Sequence, residues 1–194
     1  MGLFDLEKHF AFYGSYHSNP VNIFIHTIFV WPILFTSLVL FYFTPALFSF
    51  SEISFLGHKL ILNLGFVFTL IYALFYIGLD YKAGSLGALL CFGCWVFASS
   101  LASHLGFSLA WKVVLAAQLV SWSAQFIGHG VFEKRAPALL DNLIQAFLMA
   151  PFFVLLEVLM LFHYEPYPGF RKSVEAKIKA EIEEWEEEKK KKTY

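Results

Sequence analysis

The amino-acid sequence predicts an all-α integral membrane protein with about four transmembrane helices, a re-entrant or interfacial helix pair and a C-terminal amphipathic helix. Three observations carry this reading. The 194 residues are 58% hydrophobic and their mean hydropathy is +0.62, above what a soluble domain of this length uses. Uncharged windows of about 20 residues, the helix length that crosses a ~30 Å hydrocarbon core, recur along the chain. The charges fall in the gaps between these windows and in a C-terminal tail.

Four windows read as spans: Ile23 to Phe43, Leu60 to Leu79, Leu86 to Leu105 and Val113 to Gly128. Lys8 and Glu52 bound the first, Lys59 and Asp80 the second, and Lys112 and Glu133 the fourth. A fifth apolar segment, Leu143 to Phe162, contains Pro151 and Glu157 and has basic residues on both flanks, Lys134 and Arg135 before it and Arg171 and Lys172 after it. The positive-inside rule puts both flanks in the cytosol, so this segment is expected to dip in and return at Pro151 or to lie in the interface. An even number of crossings then places both termini in the cytosol, in keeping with Lys8 and Lys82.

From Phe170 the composition changes, and Val174, Ile178, Ile182 and Trp185 recur at helical spacing among Lys and Glu. The division expected is a membrane-embedded catalytic domain over 1–165 and a cytosolic charged tail over 166–194. Lysines occupy the third and fourth positions from the C-terminus, which resembles the dilysine retrieval signal of endoplasmic-reticulum membrane proteins. No secretory signal peptide is expected, since Asp5, Glu7 and Lys8 precede any apolar stretch. Leu6 stands where a myristoylation signal needs Ser or Thr.

Several function classes are excluded. The net charge of −1, with no basic stripe, gives nucleic acid nothing to bind. Neither a phosphate-cradling Gly loop nor a G-x-S-x-G elbow is present. Cys91 and Cys94 have redox-pair spacing but sit in an apolar run, where small core residues are the simpler reading.

The histidines carry the chemistry. His17 precedes Asn19-Pro20, a turn that lets it fold back toward His26. His129 is flanked by Gly128 and Gly130, which allow another element to approach, and Glu133 follows one helical turn later. His104 is the one imidazole in an otherwise uncharged span, costly in lipid and therefore a functional candidate. Imidazoles with nearby carboxylates and no cysteine ligand point to a non-haem transition metal. His17, His26 and His129 fall at the cytosolic end of the expected topology, whereas His104 falls toward the lumen.

Tyr16-His17-x-Asn19-Pro20-x-Asn22-x-x-Ile25-His26 and the run from Gln125 through Gly128-His129-Gly130 and Glu133-Lys134 to Asp141-Asn142-Leu143 resemble the family of the fungal 2-hydroxy fatty acid dioxygenase. The likeness covers most of residues 3 to 165 and departs in the loop Thr44 to Lys59 and after Tyr164. It implies a multi-span endoplasmic-reticulum enzyme that uses Fe(II) and O2 to shorten a 2-hydroxy fatty acid by one carbon, in phytosphingosine breakdown. It also implies a histidine at the position of His104, so the expected metal ligands are His17, His26, His104 and His129. Around them Glu133, Asp141 and Gln125 are expected to orient imidazoles, and Lys134 or Arg135 to receive the substrate carboxylate, with Glu133 and Lys134 as the catalytic candidates. The rival reading is a non-enzymatic lipid-binding or scaffold protein whose histidines satisfy backbone carbonyls. His-box desaturases and hydroxylases are disfavoured because no H-x-x-H-H cluster occurs.

Overall fold

A computed structural model describes residues 2–48, 52–55, 58–137, 143 and 145–193. In chain order these form α1 (Leu6–Tyr16), α2 (Pro20–Phe41), a hairpin of β1 (Glu52–Phe55) and β2 (His58–Ile61), α3 (Leu64–Leu79), α4 (Tyr81–Ile127), two π-helical turns (Gly128–Glu133 and Gln145–Met149), α5 (Ala150–Leu161) and α6 (Phe170–Thr193). Short polar side chains start the helices. Asn19 Oδ1 accepts from Val21 N at 2.9 Å, and Pro20 fills the first turn, where a missing N–H costs nothing. Asn63 Oδ1 caps Gly65 N at 3.0 Å while its Nδ2 donates to the Tyr42 carbonyl at 2.8 Å, closing the loop that carries the hairpin. Asp80 accepts from Ala83 N at 2.6 Å at the start of α4.

The 47 residues of α4 are two helical arms joined at Gly106, whose backbone (φ 65°, ψ 161°) leaves the helical region for one that glycine tolerates. The chain reverses there. On the first arm Trp95 meets Phe66 at the start of α3, and Gly87 faces Tyr76 near its end. On the second arm Phe107 packs on Phe43 just past α2, Gln118 reaches Ile33, Thr36 and Ser37, and the ring of His129 meets that of His26. The outcome is four antiparallel helices: α2, α3 and the two arms. The gap expected between Leu105 and Val113 contains this reversal at its first residue, and the rest of it through Lys112 is helical and belongs to the second arm, because the turn needs glycine geometry and a lysine can remain helical with its charged end extended.

The α3 contact with the first arm is lined by Gly84, Gly87, Ala88 and Cys91, all buried, followed by Ala98 and Ala102. Small residues at helical spacing let backbones approach, the usual device where lipid supplies no hydrophobic drive between helices. Both cysteines are free, with Cys91 buried, in line with the core reading. Large apolar side chains such as Phe24, Leu74, Leu89, Phe97 and Leu119 face outward. A water-exposed surface of that kind would be a liability, whereas lipid accepts it. Two helices, Pro20–Phe41 and the segment Tyr81–Glu133, are long and apolar enough to cross a membrane.

Beside the four helices lie α1, α5 and α6, which share one core with α3 through Phe10, Tyr13, Tyr76, Phe152, Phe153, Phe170 and Val174. Pro151 sits in the first turn of α5, where it starts a helix and does not divide a pair. The π-helical turn before it gives its Phe147 and Leu148 carbonyls to the hydroxyls of Tyr72 at 2.7 Å and Tyr76 at 2.9 Å. At 12 residues, α5 is short for a crossing, and its buried face packs on α1 and α3. The amphipathic α6 docks its apolar stripe on α1, with Ile178 against Gly14, while Lys177 and Ser173 hydrogen-bond Glu7 and lower its carboxyl.

A Cβ at residue 84 would run into the backbone of Tyr76 and Ile77, which a flexible side chain cannot relieve. Gly84→Ala is therefore expected to destabilise the protein by about 1–3 kcal/mol, the range for overpacking. Gly93→Ala, with open space around it, is expected to be neutral in the same thermal-unfolding series in detergent.

Candidate metal centre

Three imidazoles from three separate elements converge: His17 just past α1, His26 in α2 and His129 in the π-helical turn after α4. Their ring centroids are 4.3 Å (His17–His26) and 4.8 Å (both other pairs) apart, each pair edge to face. All three are buried, and one nitrogen from each lies within 4.8 Å of the others.

Backbone geometry fixes two of the three rings. The last turn of α1 tightens so that His17 N donates to Gly14 O, leaving the Tyr13 carbonyl to the ring, and His17 Nδ1 donates to it at 2.8 Å. In α2, His26 Nδ1 donates to the Asn22 carbonyl at 2.9 Å. A carbonyl can only accept, so both Nδ1 atoms carry the proton and both Nε2 atoms keep a lone pair. His17 Nε2 and His129 Nδ1 are buried with no hydrogen-bond partner. Burial, with the charge of His26 and then of His129 adding to it, holds His17 well below the usual imidazole pKa, so it stays in the neutral form that ligates metals. Orphaned lone pairs facing one another in an apolar site are costly, and a metal ion satisfies them. The donor set fits a transition metal that accepts imidazole.

Glu133 secures the convergence from behind. Its carboxylate accepts from Ser18 N at 2.9 Å, Ser18 Oγ at 2.6 Å, Asn19 N at 3.0 Å and Asn22 Nδ2 at 3.0 Å. Among the described residues backbone carbonyls, not carboxylates, orient the rings, so Glu133 acts through the Ser18–Asn22 loop and not on an imidazole. Lys134 is exposed in a left-handed conformation that ends the π-helical turn. The Arg135 guanidinium donates to Ser15 O at 2.6 Å and lies over the rings of Tyr16 at 3.6 Å and Trp185 at 4.8 Å, pinning α6 to the loop. Neither basic residue lines the cavity described below. Asp141 lies outside the described residues.

His104 is not part of the constellation. It lies beside the Gly106 reversal, exposed, with Nδ1 donating to Ser100 O at 2.7 Å, and about 35 Å of helix separates that turn from His129. The topology expected from the charges placed it at that far end, and the fold agrees. The likeness of motif spacing, which favoured it as a fourth ligand, does not carry into space.

The three rings open onto a cavity of about 350 Å³ that follows α2 past Val30, Ile33 and Leu34 to Leu38 and Phe41. Its walls are apolar except near the histidines and at a belt of Ser37, Gln118 and Trp122. That belt satisfies itself: Gln118 Nε2 donates to Thr36 Oγ1 at 2.8 Å and Ser37 Oγ at 3.2 Å, and Trp122 Nε1 donates to Gln118 Oε1 at 2.9 Å. Tyr13, which the sequence reading did not single out, joins this wall with its ring stacked on His17 at 4.1 Å. Its only signal in the sequence is its place one helical turn before a histidine.

Residues 3–161 match the family described as 2-hydroxy-palmitic acid dioxygenase Mpo1-like. The 2-hydroxy-palmitic acid dioxygenase MPO1 of Saccharomyces cerevisiae is 37% identical over 165 residues, which cover 85% of this chain and 86% of the yeast protein. No solved structure matches the chain.

If Glu133 positions the His17 loop, Glu133→Ala should weaken binding of Fe(II) or Co(II) by roughly 10- to 100-fold, the usual cost of losing a supporting partner. Glu133→Gln, which keeps one acceptor oxygen and turns the other position into a donor, should fall between. An anaerobic metal titration of the purified protein reads both, and an unchanged affinity for the alanine variant would show that the loop is held without the clasp.

Proposed function

Because the chain belongs to the 2-hydroxy-palmitic acid dioxygenase Mpo1-like family, we propose that it is a membrane-embedded dioxygenase that shortens 2-hydroxy fatty acids by one carbon, with Fe(II) held by His17, His26 and His129. The observation that carries this reading is the placement of three buried imidazoles at the end of a long apolar cavity. Fe(II) in that site supplies O2 activation and a Lewis acid for the 2-hydroxy carboxylate, with coordination positions left open by three protein ligands.

The side chains do the rest. Two rings are locked by backbone carbonyls with their lone pairs turned away from them, so little reorganisation is needed for ligation. From His26 to Phe41 the wall runs about 22 Å along α2, more than the ~15 Å depth of one leaflet, so it accommodates an acyl chain. The walls exclude water from the reacting end. The balance closes without an added reductant: the C1–C2 bond breaks, the substrate provides all the electrons that O2 takes up, and the products are an acid one carbon shorter, CO2 and water.

The proposal includes the setting. The four antiparallel helices cross the endoplasmic-reticulum membrane, with both termini and the three histidines toward the cytosol, as the lysines at Lys8, Lys82 and the tail favour. The acyl chain then reaches the cavity from the bilayer. In this arrangement His104 and Lys134 have no part in the chemistry.

Protein purified anaerobically is expected to contain near-stoichiometric iron and to convert 2-hydroxypalmitic acid to pentadecanoic acid when O2 is admitted. His17→Ala, His26→Ala and His129→Ala should each lose the iron and more than ~100-fold of the turnover, beyond the loss typical of a supporting residue, whereas His104→Ala should keep both. A variant at one of the three positions that retains iron and turnover would sink the assignment, and wild-type protein without metal would favour the scaffold reading.

A further inference from the structure

Two residues of the cavity wall carry hydrogen-bond donors that no described residue satisfies. The Tyr13 hydroxyl and the Gln125 amide nitrogen are both buried without a partner, in residues 5% and 7% exposed. Both residues line the cavity that the three histidines open onto. Each stands four residues before a histidine of the cluster, Tyr13 before His17 and Gln125 before His129, so each donor sits one helical turn from a ring. The stacking of Tyr13 on His17 fixes the first of these relations in space.

Buried donors left unpaired beside the histidine cluster point to a ligand that completes them. The ligand must bring acceptors to the histidine end of the cavity and an apolar body to the remainder, because the other polar groups of the wall, Gln118, Ser37 and Trp122, already bond one another or Thr36. It cannot depend on the two basic residues of the neighbouring loop, since Arg135 is held by Ser15 and two aromatic rings and Lys134 faces outward.

We infer that the Tyr13 hydroxyl and the Gln125 amide form the head-group subsite, donating to the carboxylate of the acyl substrate beside the His17–His26–His129 cluster. This rests on the reading of the site as a 2-hydroxy acid dioxygenase and adds the residues that recognise the acid. Two neutral donors suit the place: they bind a carboxylate without burying a fixed positive charge when the cavity is empty. Selectivity follows from the same chemistry, since a site built to donate to an acid discriminates against a head that accepts less strongly.

The test compares 2-hydroxypalmitic acid with its methyl ester as probes, binding to the full-length Fe(II)-loaded protein without O2, read by calorimetry in nanodiscs. Wild type should prefer the acid by at least about tenfold, the lower end of what a hydrogen bond to a charged group contributes. Tyr13→Phe and Gln125→Leu should each weaken the acid by roughly tenfold while iron content and ester affinity stay constant, and Gln125→Glu, of unchanged size, should weaken the acid further by repulsion. A wild type that does not bind the acid overturns the reading of the site and this inference with it. A wild type that prefers the acid, with variants that keep the same preference, overturns this inference alone, as does a loss of iron in Tyr13→Phe.

Discussion

One carboxylate holds the centre of this protein in register. Glu133, at the end of the π-helical turn that follows α4, accepts four hydrogen bonds from Ser18, Asn19 and Asn22, more than a hundred residues earlier in the sequence. Ser18 and Asn19 form the turn between α1 and α2 and Asn22 lies in the first turn of α2, so the clasp fixes where His17 leaves one helix and how the next, which carries His26, begins. Gly128 belongs to the same arrangement, because a side chain there would collide with the Asn22 amide. Rings from three elements meet only if these joints are fixed, and hydrogen bonds to a charged acceptor are the strong kind. The carbonyls of Tyr13 and Asn22 then set the rings themselves.

The four-helix part divides into a closed side and an open side, and residue size decides which is which. Between α3 and the first arm of α4, glycines, alanines and Cys91 let the backbones approach closely. Where the second arm faces α2, Gln118 and Trp122 form a polar belt that completes its own hydrogen bonds. The cavity lies among α2, α3, the second arm and α5, and Phe41 stacks on Phe68 in its wall at 4.9 Å. Its polarity gradient is a consequence of the sequence of α2, which carries His26 at one end and Leu38 and Phe41 at the other.

Much of this was legible in the sequence because lipid imposes simple rules. The windows Ile23 to Phe43 and Leu60 to Leu79 correspond to α2 and α3, although Leu60 and Ile61 belong to a hairpin strand that no alternation marked out. The reversal at Gly106 falls at the edge of the gap expected between Leu105 and Val113, which charges alone do not narrow to a turn made by backbone geometry. The Asn19-Pro20 turn and the glycines around His129 did indicate that His17, His26 and His129 come together. His104 was carried by likeness of spacing against the charge pattern, and the fold follows the charge pattern. Tyr13 was invisible because a tyrosine in an amphipathic helix reads as core; what distinguishes it is a hydroxyl without a partner, which only coordinates reveal.

The charge of the site connects the metal to the acid. Three imidazoles bring no negative charge to a divalent ion, and the Glu133 carboxylate is already engaged by four donors. A divalent charge in an apolar cavity is expensive unless something balances it. The carboxylate of the proposed substrate would do so, and the cost of burying that carboxylate would be offset by the metal in turn. Linkage then requires that each tighten the other's binding. A cluster of carboxylate ligands would neutralise the ion alone and weaken that dependence, so the all-histidine composition of the centre is itself suited to an acidic substrate.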